Sequence, residues 1–124
     1  MKKRFLLQTL ALAALAASTS GVMAQEKFKI GLVLPMTGQQ ATTGRQIEAA
    51  ARLYMAQHGD TVAGKKIELI VKDDTSLPDQ TRRLAQELIV NDKVNVLAGM
   101  GITPSAMAVA PLATRVVGGS GRFY

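Results

Sequence analysis

Two hydrophobic periods alternate along this chain. Phe28-Lys29-Ile30-Gly31-Leu32-Val33-Leu34 becomes continuously apolar toward its end, as a strand covered on both faces does. A loop rich in Gly, Thr and Gln follows over 35–44. Ile47, Ala50, Ala51, Tyr54 and Met55 then recur at the i, i+3, i+4, i+7, i+8 spacing of one helical face, with Arg45, Glu48 and Arg52 opposite. The helix is expected to end near His58-Gly59, where glycine can take a left-handed terminating conformation. Val62 to Lys65 reads as a turn and Ile67 to Val71 as a second strand. After a loop over 73–77, Pro78 suits the first helical position, where its missing N–H costs nothing. Thr81, Leu84, Ala85, Leu88 and Ile89 make a second helical stripe, closed by Asn91-Asp92. Val94 to Ala98 reads as a third strand and Gly99 to Ile102 as a turn. Thr103-Pro104 reads as an N-cap followed by a first-position proline. Met107 and Ala110 are expected to face inward from that last helix, and Pro111 to kink or shorten it.

The order β-α-β-α-β-α with right-handed crossovers predicts an α/β fold: a three-layer, Rossmann-like βαβαβα unit on a parallel sheet. The loops 35–44, 73–77 and 99–103 then share one sheet edge, the edge where open α/β sheets bind ligands.

The first 24 residues follow a different logic. Met1-Lys2-Lys3-Arg4 is a basic start, Phe5 to Ala17 is apolar and uncharged, and Val22-Met23-Ala24 places small residues at −3 and −1 of a cut before Gln25. This is the layout of a secretory signal peptide, and the apolar run is short for a membrane span. Export from the cytoplasm is the expectation for residues 25 onward. The chain carries 15 Lys+Arg and 9 Asp+Glu; without Lys2, Lys3 and Arg4 the balance is 12 against 9. The remaining basic residues are scattered and no aromatic residues interleave with them, which argues against nucleic-acid binding. No cysteine is present, and His58 is the single histidine, so disulfides and a thiolate or multi-histidine metal site are excluded. No cofactor or metal is expected.

Four features carry candidate chemistry. Gly99-Met100-Gly101 begins like a dinucleotide fingerprint, but Pro104 occupies the third glycine position and the motif follows the third strand, so a tight strand-to-helix turn is the better reading. Thr103 opens a helix, whose unpaired N–H groups and dipole can hold a carboxylate; a plain cap is an equal alternative. Asp73-Asp74 reads as a pair of solvated loop acids ahead of the second helix. His58 reads as a surface residue or a favourable charge at a helix end. No catalytic Ser-His-Asp set assembles, so a binding protein rather than an enzyme is expected.

Together these residues resemble the periplasmic branched-chain amino-acid-binding protein family, the type I solute receptors of ABC importers. The resemblance runs from Lys29 to about Arg115. It rests on Ile30-Gly31 through Gly38, on Gly44 and on Val62-Ala63-Gly64-Lys65-Lys66-Ile67-Glu68-Leu69. Asp73-Asp74 with Pro78, Ala85 to Asn91, and Ala108-Val109-Ala110-Pro111-Leu112-Ala113 complete it. It implies two α/β lobes closing over a small solute, an amino acid or organic acid, with an ABC permease in the inner membrane as partner and a periplasmic location. Residues 25–115 correspond to part of the first lobe, and 116–124 are expected to be an aberrant tail from a frameshift or truncation. The resemblance points to Ile102 and Thr103 as ligand contacts, where many members have two serines, and to Thr43, where leucine-type receptors present an aromatic ring. These departures leave aromatic and other organic acids open beside the branched-chain amino acids. A ligand-sensing module of the same fold and a small periplasmic enzyme are the alternatives.

Overall fold

A computed structural model describes residues 24–116 and 122–123, with side chains through Leu112. The signal-peptide segment and most of the expected aberrant tail lie outside the described residues. The elements are β1 (Lys27–Leu34), α1 (Ala41–His58), β2 (Thr61–Val62), β3 (Lys65–Asp73), α2 (Pro78–Val90), β4 (Val96–Gly99), α3 (Thr103–Val116) and β5 (Arg122–Phe123). The five strands form one sheet in the order β2-β3-β1-β4-β5. β1 is central and pairs in parallel with β3 and β4, as the crossover pattern predicts.

Strand alternation divides the residues of β1 between two faces. Val33 joins Leu84, Ala85, Leu88, Leu97 and Val109 in the core between the sheet and the helices α2 and α3. Gly31 faces the same way, where a Cβ would meet Leu88 at 3.1 Å, so its lack of a side chain lets α2 approach. Ile30 and Leu32 point to the other face, toward α1. The expected three layers are therefore present.

The remaining differences from the sequence reading have local causes. Val62 to Lys65 is more than a turn. Ala63 (φ 50°) and Gly64 (φ 78°) form a two-residue hairpin loop with both central φ values positive, so β2 pairs antiparallel with the start of β3 and the sheet is mixed. The third strand begins at Val96, two residues later than expected. Lys93 has φ 52°, the Val94 N–H bonds to the Leu88 carbonyl, and the Asn95 side chain accepts the Lys29 N–H at 2.8 Å. Asn95 thus meets Lys29 twice, its backbone N–H bonding to the Lys29 carbonyl at 2.8 Å and its side chain accepting the Lys29 N–H. In α3 the inward positions are Ser105 and Val109, both buried, whereas Met107 is 71% exposed and Ala110 is exposed. The four-residue spacing 105/109 selects this face, with Leu112 packing beside it. Pro111 lies inside α3, which continues to Val116. Arg122–Phe123 adds a two-residue parallel strand beside β4.

Gly44 packs the start of α1 directly against the chain that leaves β1. A Cβ there would lie 2.2 Å from the Pro35 carbonyl oxygen. An alanine in a helix gains about 1 kcal/mol over glycine from propensity alone. Overpacking against backbone costs about 1–3 kcal/mol, so the clash outweighs the gain. Gly44→Ala is expected to lower the urea unfolding midpoint; an unchanged or raised midpoint would show that α1 is free to shift.

Candidate functional site

The carboxyl ends of β1, β3 and β4 open into three loops that meet one another. Pro35, fully buried, is the wedge between them. Gly44 of α1 rests on its carbonyl, and a Cβ on Gly101 would come within 2.9 Å of its ring. Gly99 (φ 107°) passes so close to β1 that a Cβ would lie 2.3 Å from the Val33 carbonyl, whose oxygen accepts the Met100 N–H at 2.8 Å. Only glycine fits that conformation and that approach, so Gly99 and Gly101 serve the tight turn predicted for them. Gly38 (φ 84°) closes the third contact, where a Cβ would lie 2.8 Å from the Thr75 carbonyl oxygen.

Two adjacent carboxylates tie this edge together, which corrects the reading of Asp73-Asp74 as solvated loop acids. Asp73 Oδ1 accepts the N–H groups of Met36 (2.9 Å), Thr37 (3.2 Å) and Thr75 (2.9 Å), and its Oδ2 accepts the Thr37 hydroxyl at 2.6 Å. Asp73 therefore binds the first loop to the second. Asp74 is 1% exposed. Its Oδ1 accepts the Ser76 N–H at 3.0 Å and its Oδ2 accepts the Thr81 hydroxyl at 2.7 Å. Thr81 Oγ1 is in turn hydrogen-bonded to Ser105 Oγ at 2.8 Å, and both residues are fully buried. Asp74 therefore binds the second loop to α2 and, through Thr81, to α3. Between them the two acids hold Thr75 (φ 53°) and Ser76 (φ 66°) in the left-handed region, which costs roughly 1–2 kcal/mol per residue unless such bonds offset it.

Thr43 lies exposed in the first turn of α1, its hydroxyl 3.4 Å from Gln40 Oε1. Ile102, half-buried, precedes α3, and exposed Thr103 is the first helical residue rather than the cap. The Ile102 carbonyl accepts the Ala106 N–H at 3.2 Å, which puts Ile102 at the capping position and Pro104 second in the helix. Thr43 in α1 and Ile102 ahead of α3 come from different segments, but their neighbours Gly44 and Gly101 both abut Pro35, so the wedge gathers them on one edge. Sequence reasoning missed Ser105 and gave Thr81 only a place in the apolar stripe. A signal for Thr81 was present in its four- and seven-residue spacings from Leu77 and Asp74, whereas Ser105 had none, and both hydroxyls sit where an apolar core residue was the default. His58 is exposed, stacks on Tyr54 at 4.1 Å and sets its Nδ1 3.1 Å from the Tyr54 carbonyl oxygen, a helix-end role.

Burial pushes the Asp73 carboxyl upward, and this is the largest single influence on it. The Thr37 hydroxyl and the N–H groups of Thr75, Met36 and Thr37 together outweigh it and hold the group below the ordinary carboxylate value. A carboxyl lowered in the folded state adds stability that is complete above its unfolded pKa and is lost as the pH falls through the folded one. Acidification into and below the ordinary carboxylate range is therefore expected to lower the unfolding midpoint. Asp73→Asn should reduce the midpoint at neutral pH and flatten that acid dependence; parallel curves for the two proteins would refute this role for Asp73.

Residues 27–118 match the profile of a family described as periplasmic binding protein. The chain is 38% identical over 111 residues to a Leu/Ile/Val-binding protein homolog 6 of Brucella abortus, an alignment that takes in 89% of this chain and 28% of that one. A solute binding protein of an ABC transporter from Rhodopseudomonas palustris BisB5, solved in complex with 3,4-dihydroxybenzoic acid, superimposes with a TM-score of 0.72 and is 69% identical. That superposition covers 73% of this chain and 25% of the other. A second R. palustris solute binding protein, in complex with 4-hydroxybenzoate, gives a TM-score of 0.69 at 38% identity over the same shares. The chain thus spans about a quarter of the length of the relatives it matches. The glycine-built loop edge, the two carboxylate ties and these likenesses agree: the chain belongs to the periplasmic binding protein family, whose members named here are solute-binding proteins of ABC transporters and Leu/Ile/Val-binding homologues.

Proposed function

We propose that residues 27–116 supply the first-lobe wall of a solute site, and that the solute is an aromatic carboxylate of the hydroxybenzoate type in preference to a branched-chain amino acid. The observation that carries this is the 69% identity to the relative that holds 3,4-dihydroxybenzoic acid, against 38% to the Leu/Ile/Val-binding homologue. The chemistry of the edge supports it. The α3 N-terminus begins at Ile102, and its first N–H groups precede the first intrahelical bond, so they are free to meet a carboxylate. Thr103, exposed on that turn, adds a hydroxyl. Ile102 replaces a second hydroxyl with an apolar side chain, which suits a ring better than an ammonium group. Thr43, across the Pro35 wedge, borders the same edge. The work done is binding and delivery, not turnover: closure of a second lobe would enclose the solute and present it to an ABC permease.

The described residues form one wall. Solute sites bury roughly 70–90% of a small ligand, so this chain by itself is expected to hold 3,4-dihydroxybenzoate in the millimolar range or more weakly. The decisive measurement replaces the matched quarter of the R. palustris BisB5 protein with residues 27–118 of this chain and titrates the chimera by calorimetry. It should bind 3,4-dihydroxybenzoate and prefer it to leucine. Thr103→Val should weaken binding by about 1–3 kcal/mol, because a charged group loses a hydrogen bond in an enclosed site. Preference for leucine would overturn the ligand class, and an unchanged affinity in Thr103→Val would remove Thr103 from the site.

Export is part of the same proposal. Ala24 to Glu26 are exposed and irregular ahead of β1, which leaves the proposed cleavage point accessible. Intact-mass analysis of periplasmic protein should show Gln25 as the first residue; Met1 retained there would refute the cleavage.

A further inference from the structure

The sheet fixes the main chain from Glu26 onward and leaves Gln25 outside it. The Glu26 carbonyl accepts the Lys66 N–H at 2.9 Å, and the Glu26 carboxylate lies 3.1 Å from Lys65 Nζ. Lys27 then opens β1, in register with Lys66 of β3. Gln25 precedes all of these ties. It is exposed and irregular, and no hydrogen bond between described residues engages its side chain. With the cut proposed before Gln25, the exported chain therefore begins with one free residue and one tethered residue, and the central strand follows at once.

A glutamine in first position has chemistry that a glutamine elsewhere lacks. Cutting the peptide bond before Gln25 frees its α-amine, and that amine and the side-chain carboxamide belong to the same residue. An α-ammonium ionises at about pH 7.7–8.0, so a share of it is the nucleophilic free amine near neutrality. Linkage through the residue's own carbons makes the meeting of the two groups intramolecular, which favours reaction. The amine nitrogen attacks Cδ. An N–Cδ bond forms, the Cδ–Nε2 bond breaks, and Nε2 leaves as ammonia with the proton that the amine gives up. The product is a pyroglutamyl lactam, and no oxidant, reductant or second substrate is consumed. The rotations that close the ring lie within Gln25, so neither the Glu26–Lys66 hydrogen bond nor the Glu26–Lys65 ion pair has to move. In the uncut chain the same nitrogen is tied up as the amide that joins Ala24 to Gln25, and the reaction is closed to it.

We propose that Gln25 is a modification site: in the exported protein it closes to pyroglutamate. The inference rests on the cleavage proposed above, and it requires neither a solute nor a second lobe. The lactam carries no ammonium, so the mature chain loses its terminal positive charge. Exopeptidases that grip a free α-amine then find none. Trimming concentrates at chain ends, and here the end lies close to the strand around which the sheet is ordered. Removing Glu26 would take away the partner of Lys65 and the acceptor of the Lys66 N–H. Removing Lys27 and Phe28 would unpair β1 from Lys66 and Ile67 of β3. A blocked Gln25 protects those pairings at the first residue that a peptidase would meet.

The full precursor is expressed with export, and the periplasmic protein is purified under denaturing conditions, so that the terminus is read whether or not the fold survives. Its intact mass is expected to equal that of residues 25–124 less one ammonia. Pyroglutamyl aminopeptidase should then remove a single residue and leave Glu26 first. Gln25→Ser, which has no carboxamide to lose, should show the full mass of its own mature chain and label with an amine-reactive reagent. A broad-specificity aminopeptidase should shorten that variant under conditions that leave the wild type intact. A wild-type chain that starts at Gln25 with its full mass and a free amine, after incubation at neutral pH, would overturn the lactam and leave the cleavage standing. A chain that starts anywhere other than Gln25 would overturn the cleavage and the lactam with it.

Discussion

The loop edge of the sheet depends on how two neighbouring carboxylates divide their work. Strand alternation sends consecutive side chains to opposite faces, so at the end of β3 Asp73 and Asp74 reach different partners. Asp73 gathers the loop after β1, and Asp74 gathers the start of α2 and, through Thr81 and Ser105, the start of α3. Neither acid would be stable so placed without the bonds it accepts, since an unpaired buried carboxylate costs far more than a hydrogen bond returns. Buried Pro35 supplies the rigid counterpart. The glycines around it have no side chains, and the carboxylates pull the loops onto the surface this leaves. The edge is thus preorganised by main-chain contacts, and its exposed hydroxyls, Thr43 and Thr103, need not hold the loops as well.

Much of this could be read from the residues alone, and where it could not, the reason is physical. β1, β3 and α2 were legible because continuous apolar runs and a clean 3.6-residue stripe leave few alternatives. The hairpin of β2 was hidden because Ala63, not asparagine or aspartate, takes the first left-handed position. Asp73-Asp74 misled because two adjacent acids after a strand look solvated, and only the tertiary arrangement brings the N–H groups of Met36 and Thr37 to Asp73. The inward register of α3 was misjudged because Ser105 is a polar residue at a core position, and a serine in the core is recognisable only beside Thr81. The three loops were placed on one edge by the crossover rule, which needs only element order.

The α1 stripe shows the limit of periodicity. Ile47, Ala51, Tyr54 and Met55 have the spacing of a buried face, yet the helix carrying them is barely packed. A stripe states that a surface will be covered; it does not state by what, or by how much of the chain at hand. The same sequence feature therefore correctly located a helix and wrongly implied a finished interface.

The uneven covering of the sheet also divides the molecule in time. Local opening follows the density of buried contacts, so amides in α2, β1 and β4, sealed by the Leu88 core, exchange with solvent only through large-scale unfolding, whereas those of α1 exchange through the detachment of a single element. Gly44, pressed on Pro35, anchors one end of α1, so that end is expected to detach last and the far end, at the stacked Tyr54 and His58 rings, first.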